Sequence, residues 1–453
     1  MKTLVLAAFT TAITVMAQSP APPAPPAPLA NLLDAQGTVW QQTPDAFMTA
    51  NHSLGFQWSS ANHESARAAR PGLTFHELPV YEAIVRFTKN SPHELILSLY
   101  NRGDAGELDE TSFQKLIQFA DAKLAAWTGA SGVLLRTQER TATATIRRKA
   151  WVKEPYRVDL VWSYSEKSRQ QGVTAPLPEY ARLQITRFDP TQDPRKSILA
   201  TGTPSQPKPL SAMELKNRIQ RTPTGDVFIP SVPMVDQGVK GYCAAAVAER
   251  VLRYYGRNLD QHEIAQLART SADSGTNPDQ MLAALRRIAD ETKMEVGTLQ
   301  DFDLRDFEKT VTDYNRAAKR TKKPEVNFAR RSGNTLFIES PVTVYQAMDA
   351  DLLREARLKR DGGLQQFKQT LIKYVNNGAP LAWACIVGKV PEKPELKGIG
   401  AHMRLLIGYN DRNQEILYTD TWGAGHELKR LSLTDAWTIT LGVYSFQPRD
   451  IRF

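Results

Sequence analysis

Apolar residues recur at helical spacing after a polar, glycine-rich turn near the middle of the chain. The turn runs from Asp236 to Gly241. The apolar positions that follow fit the i, i+3, i+4, i+7 spacing of one helix face: Ala244, Val247, Ala248, Val251, Leu252 and Tyr255. Gly256 is a suitable C-terminal cap. The pattern predicts a mostly buried helix whose first turn begins at Cys243.

A β-hairpin is predicted near the C-terminus. Residues 400–409 read as a strand with His402 near its start, and residues 410–413 form a polar turn cluster. Residues 415–420 read as the returning strand. A hairpin of this length brings His402 and Asp420 together at its open end, with Trp422 just beyond it.

Residues 30–190 predict a separate α+β domain. Its expected helix is Glu110–Trp127, and the predicted strands lie at Leu73–Thr88, Leu95–Tyr100, Thr141–Lys149, Arg157–Tyr164 and Ala181–Phe188. Arg102-Gly103-Asp104 is expected to form a turn. The histidines of this region show no metal-ligand spacing, and they are read as surface or packing residues.

A proline-rich linker at residues 191–226 joins this domain to a predicted C-terminal domain at residues 227–453. One short helix is expected in the linker, at Ser211–Gln220. Residues 293–362 are interpreted as a helical insertion in the C-terminal domain. The predicted helices after the one at Cys243 are Gln261–Thr270, Pro278–Thr292, Leu304–Arg320, Thr343–Lys359 and Leu364–Asn377.

The first residues favour export. Lys2 precedes a short apolar run, and Val15-Met16-Ala17 fits the small-x-small rule for signal cleavage, so residues 1–17 are predicted to be a signal peptide. Residues 18–29 are a stiff proline-rich spacer. The predicted location is periplasmic or secreted. We expect no membrane-spanning segment after cleavage, because no other apolar run is long enough.

Composition narrows the classes of function. The chain has 453 residues, of which 23% are charged, and a formal net charge of +9. No basic stripe is interleaved with aromatic residues, so nucleic acid is not an expected partner. The two cysteines do not form a disulfide framework. Cys385 lies in a continuous apolar run typical of a buried strand.

Cys243 has the position of a reactive thiol. The first turn of a helix offers unpaired N–H groups and the positive end of the helix dipole, which stabilise a thiolate. Gln237 lies six residues upstream across the glycine-rich turn, so its amide and the Cys243 N–H could together bind an oxyanion. The alternative is that Cys243 is a small buried apolar residue. His402 and Asp420 supply a base and a group that orients it, which favours the reactive thiol.

These residues resemble those of a known family. Gln237-Gly238-Val239-Lys240-Gly241-Tyr242-Cys243 resembles the Q-G-x-C-G-S-C signature of papain-like cysteine peptidases, and Asp420-Thr421-Trp422-Gly423 resembles their N-S-W-G motif. Within that superfamily, the chain more closely resembles the bacterial C39-like peptidases. The resemblance covers residues 228–453. It implies a papain-like α+β domain, in which a helical part carrying the nucleophile packs on an antiparallel sheet carrying His402 and Asp420.

The resemblance also implies roles for individual residues. Cys243, His402, Asp420 and Gln237 would be catalytic, with Gly241, Tyr242 and Trp422 lining the substrate site. Trp422 would shield the pair formed by His402 and Asp420, although core packing explains it equally well. The expected substrate is a peptide or protein, and no metal or organic cofactor is implied. The chain departs from the family at Lys240, Tyr242 and Asp420, where the signatures have Cys, Ser and Asn.

Other functions stay open at this stage. A cell-wall peptide hydrolase or a transglutaminase-type acyl transferase would use the same three side chains. A catalytically inactive binding protein and a structural envelope protein are further alternatives. His426 also lies close to the predicted hairpin end and competes with His402 for the role of base.

Overall fold

A computed structural model describes residues 26–140, 144–165, 176–194, 210–238, 243–257, 263–264, 266, 278–301, 303–332, 335–359, 361–396 and 398–451. Within these residues, two large antiparallel sheets with packed helices confirm the predicted α+β class. Residues 26–194, the N-terminal half, and residues 210–451, the C-terminal half, each have a hydrophobic core. The predicted signal peptide, residues 18–25 of the spacer and most of the predicted helix Gln261–Thr270 lie outside the described residues. The end of the predicted spacer is folded, because Ala27–Pro28 pairs with the strand at Leu73 and Leu29 is buried in the N-terminal core.

The N-terminal half is built on an antiparallel sheet with strand order β2-β3-β6-β7-β11-β10-β9-β8, beside a small sheet of β1, β4 and β5. Its strands are β1 (Ala27–Pro28), β2 (Gln57–Trp58), β3 (Ser65–Ala68), β4 (Leu73–Phe75), β5 (Leu78–Pro79), β6 (Glu82–Thr88), β7 (Ser91–Asn101), β8 (Val133–Arg140), β9 (Ala144–Lys153), β10 (Tyr156–Ser165) and β11 (Leu177–Arg187). Its helices are α1 (Pro44–Ala50), α2 (Arg102–Ala105) and α3 (Glu110–Thr128).

Helix α3 covers one face of this sheet. Asp109 caps its start by accepting the Ser112 N–H, and Gly129 ends it in the left-handed region at φ +71°. The facing strand positions are apolar and share one side through the register, as in the pairs Leu97–Leu183 and Leu183–Leu160. The opposite side of the same strands carries charged residues.

Two predictions in this half were inaccurate. The region 73–88 is not one strand but three, because His76 and Glu77 both take positive φ and turn the chain between β4 and β5. The segment that begins at Arg102 forms the short helix α2 rather than a turn, because the Asn101 side chain accepts the Gly103 N–H and caps it.

The C-terminal half has a second antiparallel sheet of order β12-β13-β18-β17-β21-β14, with β19 paired to β18 and β20 paired to β19. Its strands are β12 (Gln220–Arg221), β13 (Asp226–Phe228), β14 (Met294–Gln300), β15 (Ala329–Ser332), β16 (Thr335–Ile338), β17 (Leu381–Val387), β18 (Gly400–Asn410), β19 (Glu415–Thr419), β20 (Lys429–Ser432) and β21 (Thr440–Pro448). Its helices are α4 (Ala212–Asn217), α5 (Cys243–Tyr254), α6 (Pro278–Thr292), α7 (Leu304–Thr321), α8 (Pro341–Ala347), α9 (Ala350–Leu358), α10 (Asp361–Val375) and α11 (Leu433–Ile439).

Several predicted elements are present at their expected places. The helix that begins at Cys243 ends before Gly256, which takes φ +78°. The hairpin of β18 and β19 forms as predicted. Every residue of β17 is buried, which confirms that Cys385 lies in a buried strand. No helix among the described residues is long and apolar enough to cross a bilayer.

The span 293–362 is not purely helical, in contrast to the predicted helical insertion. Strand β14 joins the main sheet by pairing with β21, and β15 and β16 form a separate hairpin. The helix predicted at Thr343–Lys359 is two helices, because the Asp349 side chain accepts the N–H groups of Asp351 and Leu352 and starts a new helix. The predicted helix at Ser211–Gln220 is shorter, at Ala212–Asn217, and from Leu210 onward the predicted linker is folded into the C-terminal half.

A buried carboxylate joins three strands of the C-terminal sheet. Asp226 on β13 accepts hydrogen bonds from Asn410 on β18 (2.7 Å) and from both Nη groups of Arg430 on β20 (2.8 and 2.6 Å). The hydrogen bond with Arg430 is the main cause that lowers the pKa of Asp226 to about 2. A lowered carboxyl pKa stabilises the fold above pH 3.8, and the stabilisation is lost as the pH falls toward 2.

We therefore expect Asp226→Asn to lower the free energy of unfolding by about 1–2 kcal/mol at pH 7, since charge-assisted hydrogen bonds are replaced by neutral ones. Urea unfolding at several pH values measures this, and the difference from the wild type should shrink between pH 4 and pH 2. Asp411→Asn is the control, because Asp411 is 60% exposed in its pair with Lys368. Equal effects of the two substitutions would contradict the prediction.

Candidate active site

The sulfur of Cys243 lies at the first residue of α5, against the start of β18. Cys243 is 4% exposed, and the His402 side chain lies close enough to lower the pKa of its thiol. The backbone N–H groups of Met403 and Ala244 lower the same pKa. The first helical turn therefore supplies one backbone donor, as its position in the sequence predicts, and the strand that carries His402 supplies a second.

The hairpin brings His402 and Asp420 into direct contact. The register pairs Leu405 with Thr419, so residues just outside this pair face each other at the open end. His402 Nε2 lies 2.6 Å from Asp420 Oδ1. Because Nε2 is engaged by the carboxylate, Nδ1 is the ring nitrogen that faces the thiol. His402 thus lies between the Cys243 thiol, whose pKa it lowers, and the Asp420 carboxylate.

The Asp420 carboxylate is fully buried and has three partners. Oδ1 accepts from His402 and from the Thr421 N–H (2.8 Å), and Oδ2 lies 2.7 Å from Arg404 Nε. Arg404 is also fully buried, and its other end pairs with Glu392 at 2.9 Å. The carboxylate is therefore held between an imidazole and a guanidinium.

Arg250 ties the helix of Cys243 to the hairpin end. It lies in the middle of α5, is 1% exposed, and donates to the Asp420 carbonyl oxygen (2.5 Å) and to Thr419 Oγ1 (2.6 Å). It also donates to the carbonyl of Pro233, in the segment that leads to Gln237 (2.7 Å). One side chain thus fixes three chain segments of the site relative to each other.

The protonation states follow from these contacts. Burial lowers the pKa of His402, but the charge of Asp420 and the hydrogen bonds to Asp420 and Cys243 raise it to about 9. Burial raises the pKa of Cys243, but the hydrogen bond and charge of His402 lower it below its ordinary value. Burial raises the pKa of Asp420, and the charges of His402 and Arg404 outweigh this and hold it far below its usual range. Together these shifts favour a thiolate beside an imidazolium.

Gln237 lies next to Thr421, the residue that follows Asp420. Its backbone N–H donates to the Thr421 carbonyl (2.8 Å), and its Oε1 accepts from Thr421 Oγ1 (2.5 Å). The side chain is buried. Because the hydroxyl engages the oxygen end of the amide, the orientation of the amide is fixed with Nε2 as its donor end.

Trp422 covers the His402 ring. Its ring stacks on the imidazole with centroids 4.3 Å apart and planes 12° apart. The Arg404 guanidinium lies 5.6 Å from the same ring. His426, the competing candidate, meets the edge of Trp422, while its backbone carbonyl accepts the Asp420 N–H. The carboxylate of Asp420 engages His402, so His402 has the geometry of the base.

The structure does not describe every residue that the sequence predicts for the site. Gly241 and Tyr242 lie outside the described residues, as does Lys240. Cys385 is directly opposite His402 in the register of β17 and β18, but burial strongly raises its thiol pKa. No cluster of three or more His, Cys, Asp or Glu side chains in the described ranges is arranged to hold a metal ion.

The sequence reasoning missed Arg404, Arg250 and Thr421. Arg404 follows His402 by two residues, so strand alternation places both on one face, and an arginine inside an apolar strand is a usable signal. Arg250 offers the same signal, as a charged residue within an apolar helix. Thr421 carries no such signal, because its role depends on the approach of Gln237.

We expect iodoacetamide to alkylate Cys243 and not Cys385 in the native protein at pH 6–7, since only Cys243 has a lowered pKa. Asp420→Asn removes the charge that raises the pKa of His402, so proton transfer from the Cys243 thiol to the imidazole becomes less favourable. Each unit by which the pKa of His402 falls makes the thiolate–imidazolium pair about tenfold less favourable, so alkylation of Cys243 at pH 6 should fall by about tenfold. Mass spectrometry of the adducts measures both rates.

The matched control is Asp411→Asn on the surface, which should leave alkylation of Cys243 unchanged. Preferential labelling of Cys385, or equal rates in the wild type and Asp420→Asn, would contradict the assigned protonation states.

A comparison of the chain with protein-family models gives no match, and a comparison with curated proteins also gives none. Its function must therefore be inferred from the residues of the site.

Proposed function

We propose that this chain is an exported cysteine peptidase that hydrolyses peptide bonds through Cys243, His402 and Asp420. The observation that carries the proposal is that one buried imidazole lies 2.6 Å from a buried carboxylate and beside a thiol at a helix start, whose pKa it lowers. This is the arrangement that activates a sulfur nucleophile. The resemblance of the motifs around Cys243 and Asp420 to papain-like peptidases, and to their C39-like branch, supports the same assignment.

In this mechanism the Cys243 thiolate attacks the carbonyl carbon of the scissile amide, and a carbon–sulfur bond forms as the carbonyl electrons move to oxygen. Gln237 Nε2 and the Cys243 N–H donate hydrogen bonds to that oxyanion, and each donor contributes on the order of 3 kcal/mol. The His402 imidazolium then protonates the leaving amine as the carbon–nitrogen bond breaks. A water molecule, deprotonated by His402, hydrolyses the thioester and restores the thiolate.

Asp420 and Arg404 act on His402 rather than on the substrate. The carboxylate orients the ring through Nε2 and stabilises the imidazolium, and Arg404 keeps the carboxylate charged and in place. Trp422 limits the access of water to this ion pair by stacking on the ring. The imidazolium is needed both to hold the thiolate and to protonate the leaving group, so activity should fall as the pH rises through about 9.

The same three side chains would also serve a cell-wall peptide hydrolase or a transglutaminase-type acyl transferase. The acyl transferase would pass the acyl group to an amine instead of water. The cell-wall hydrolase would cleave peptidoglycan peptides instead of other peptides. A catalytically inactive binding protein is a further alternative, and the complete set of catalytic side chains argues against it. Export, based on residues 1–17, is part of the proposal.

The proposal is tested with a peptidyl epoxide that reacts with active-site thiols, followed by mapping of the adduct. We expect one adduct, at Cys243, and its loss in His402→Ala with native near-UV circular dichroism. Cys385→Ala is the control and should label like the wild type. An adduct at Cys385, or labelling of Cys243 that does not depend on His402, would overturn the proposal.

Turnover separates the alternatives. We expect hydrolysis of fluorogenic peptides, with kcat/KM reduced about 10⁴-fold or more in Cys243→Ala and about 10²–10³-fold in Gln237→Ala. Incorporation of an added primary amine in place of water would identify an acyl transferase, and activity confined to peptidoglycan stem peptides would identify a cell-wall hydrolase. Absence of all three activities, despite a labelled thiol, would favour the binding protein.

A further inference from the structure

The second face of the N-terminal sheet is charged and yet buried. Glu94 on β7, Asp159 on β10 and Arg182 on β11 point away from α3, and they are 7%, 5% and 6% exposed. Buried charges are costly unless they are paired. Here partners come both from neighbouring strands and from the C-terminal half, as in the pair of Arg182 with Glu263 at 2.5 Å. The C-terminal half therefore covers this face.

One contact of this face reaches the helix that begins at Cys243. Glu249 lies in the second turn of α5 and is 2% exposed. Arg86 on β6 bridges Glu94 (2.9 Å) and Glu249 (3.1 Å), and Arg253 approaches the same Glu249 carboxylate at 3.7 Å. The side of α5 that faces the N-terminal half is thus held by an ion pair with that half.

A second contact reaches the turn that carries Gln237. Arg67 on β3 pairs through Nε with the buried Glu82, and its Nη1 lies 3.8 Å from Asp236 Oδ2. Its guanidinium also lies against Gly238. A Cβ atom added to that glycine would lie 2.5 Å from Arg67 Nη2. Arg67 therefore borders the residues on both sides of Gln237.

Asp236 transmits this contact within the turn. Its Oδ1 accepts the Gly238 N–H at 2.8 Å, which closes the turn around Gln237 while Gly238 takes φ +67°. Asp236 also lies beside Gly423, two residues after Thr421, so the turn is packed between the N-terminal half and the hairpin end. Glu427, past the same hairpin end, accepts the backbone N–H of Ala61 of the N-terminal half at 2.5 Å.

We propose that Arg67 is a positioning residue for Gln237, and that the N-terminal half is thereby a working part of the active site. The inference rests on the proposed function for its catalytic consequence. The guanidinium holds the Asp236 carboxylate and occupies the space into which Gly238 would move. The turn then keeps one conformation, and the Gln237 amide stays aimed at the oxyanion. Without this contact the thiolate would still form, but its acylation would lose a preorganised donor.

The test compares two reactions of Cys243 in the full-length protein. Iodoacetamide alkylation needs the thiolate and no oxyanion donor, whereas acylation by p-nitrophenyl acetate needs both. Arg67→Gln should lower the acylation rate about tenfold or more and leave alkylation within twofold, and Arg67→Lys should recover part of the acylation rate. The double variant Arg67→Gln/Gln237→Ala should be no slower than Gln237→Ala alone, since both substitutions remove the same interaction.

Arg148→Gln is the matched control. Arg148 pairs with Asp159 on the same sheet at 3.2 Å, and the substitution likewise removes a guanidinium from an ion pair. It should change neither rate. Unchanged acylation in Arg67→Gln, an equal loss of alkylation, or additive effects in the double variant would overturn the proposal.

Amide hydrogen exchange separates this inference from the proposed function. Arg67→Gln should speed exchange of the Gly238 N–H at least tenfold, and Arg148→Gln should not change it. If the wild-type Cys243 is not acylated, the proposed peptidase function fails, and exchange at Gly238 then decides whether Arg67 holds the turn. Unchanged exchange in Arg67→Gln would overturn the proposal whatever the activity.

Discussion

The Asp420 carboxylate is a fully buried anion on which the geometry of the site depends. An isolated charge at this depth would be very costly, so it is stable only because His402 and Arg404 lie at its two oxygens. Neither cation could move away without leaving the carboxylate uncompensated. The requirement to neutralise one buried charge therefore fixes the imidazole next to Cys243, and it does so more strictly than apolar packing alone.

The same requirement extends outward through the C-terminal half. Arg404 is paired with Glu392, and Lys429 Nζ lies 3.5 Å from the Glu392 carboxylate. Arg250 ties the Asp420 carbonyl to the helix of Cys243. On the other side, Thr421 joins the hairpin end to Gln237, and the turn of Gln237 meets Arg67 of the N-terminal half. The site is therefore a network of polar contacts between segments that are distant in sequence, built on the rigid frame of one helix and one hairpin.

The sequence predicts the helix and the hairpin of the site better than the polar contacts that join them. Helical periodicity locates α5 and the place of Cys243 at its start, and the two strands around a polar turn locate His402 and Asp420. Local patterns carry this information, since each depends on residues close together along the chain. They fail where a distant contact decides, as for the edge strand Met294–Gln300, which is held by pairing with β21. The break at Asp349 was missed for a different reason: the amphipathic pattern continues through it, and only the capping contacts divide the helix.

The feature that is hardest to predict from the sequence is the charged face of the N-terminal sheet, which the C-terminal half covers. Alternation along β7 and β11 predicts one apolar and one polar face, and a polar face is ordinarily interpreted as solvent-exposed. The structure instead pairs this face with charges of the C-terminal half, such as Glu249 and Glu263. The resemblance to papain-like peptidases covers residues 228–453 and gives no guide to this interface.

The protonation state of His402 decides whether the Asp420 carboxylate holds an imidazolium beside Cys243. Nuclear magnetic resonance of the protein labelled with ¹⁵N at histidine reports which ring nitrogens carry protons as the pH is varied. We expect the His402 ring to be an imidazolium at pH 7–8 and to lose a proton only near pH 9. A neutral ring at pH 7 that titrates near 6.5, the ordinary value for histidine, would contradict it.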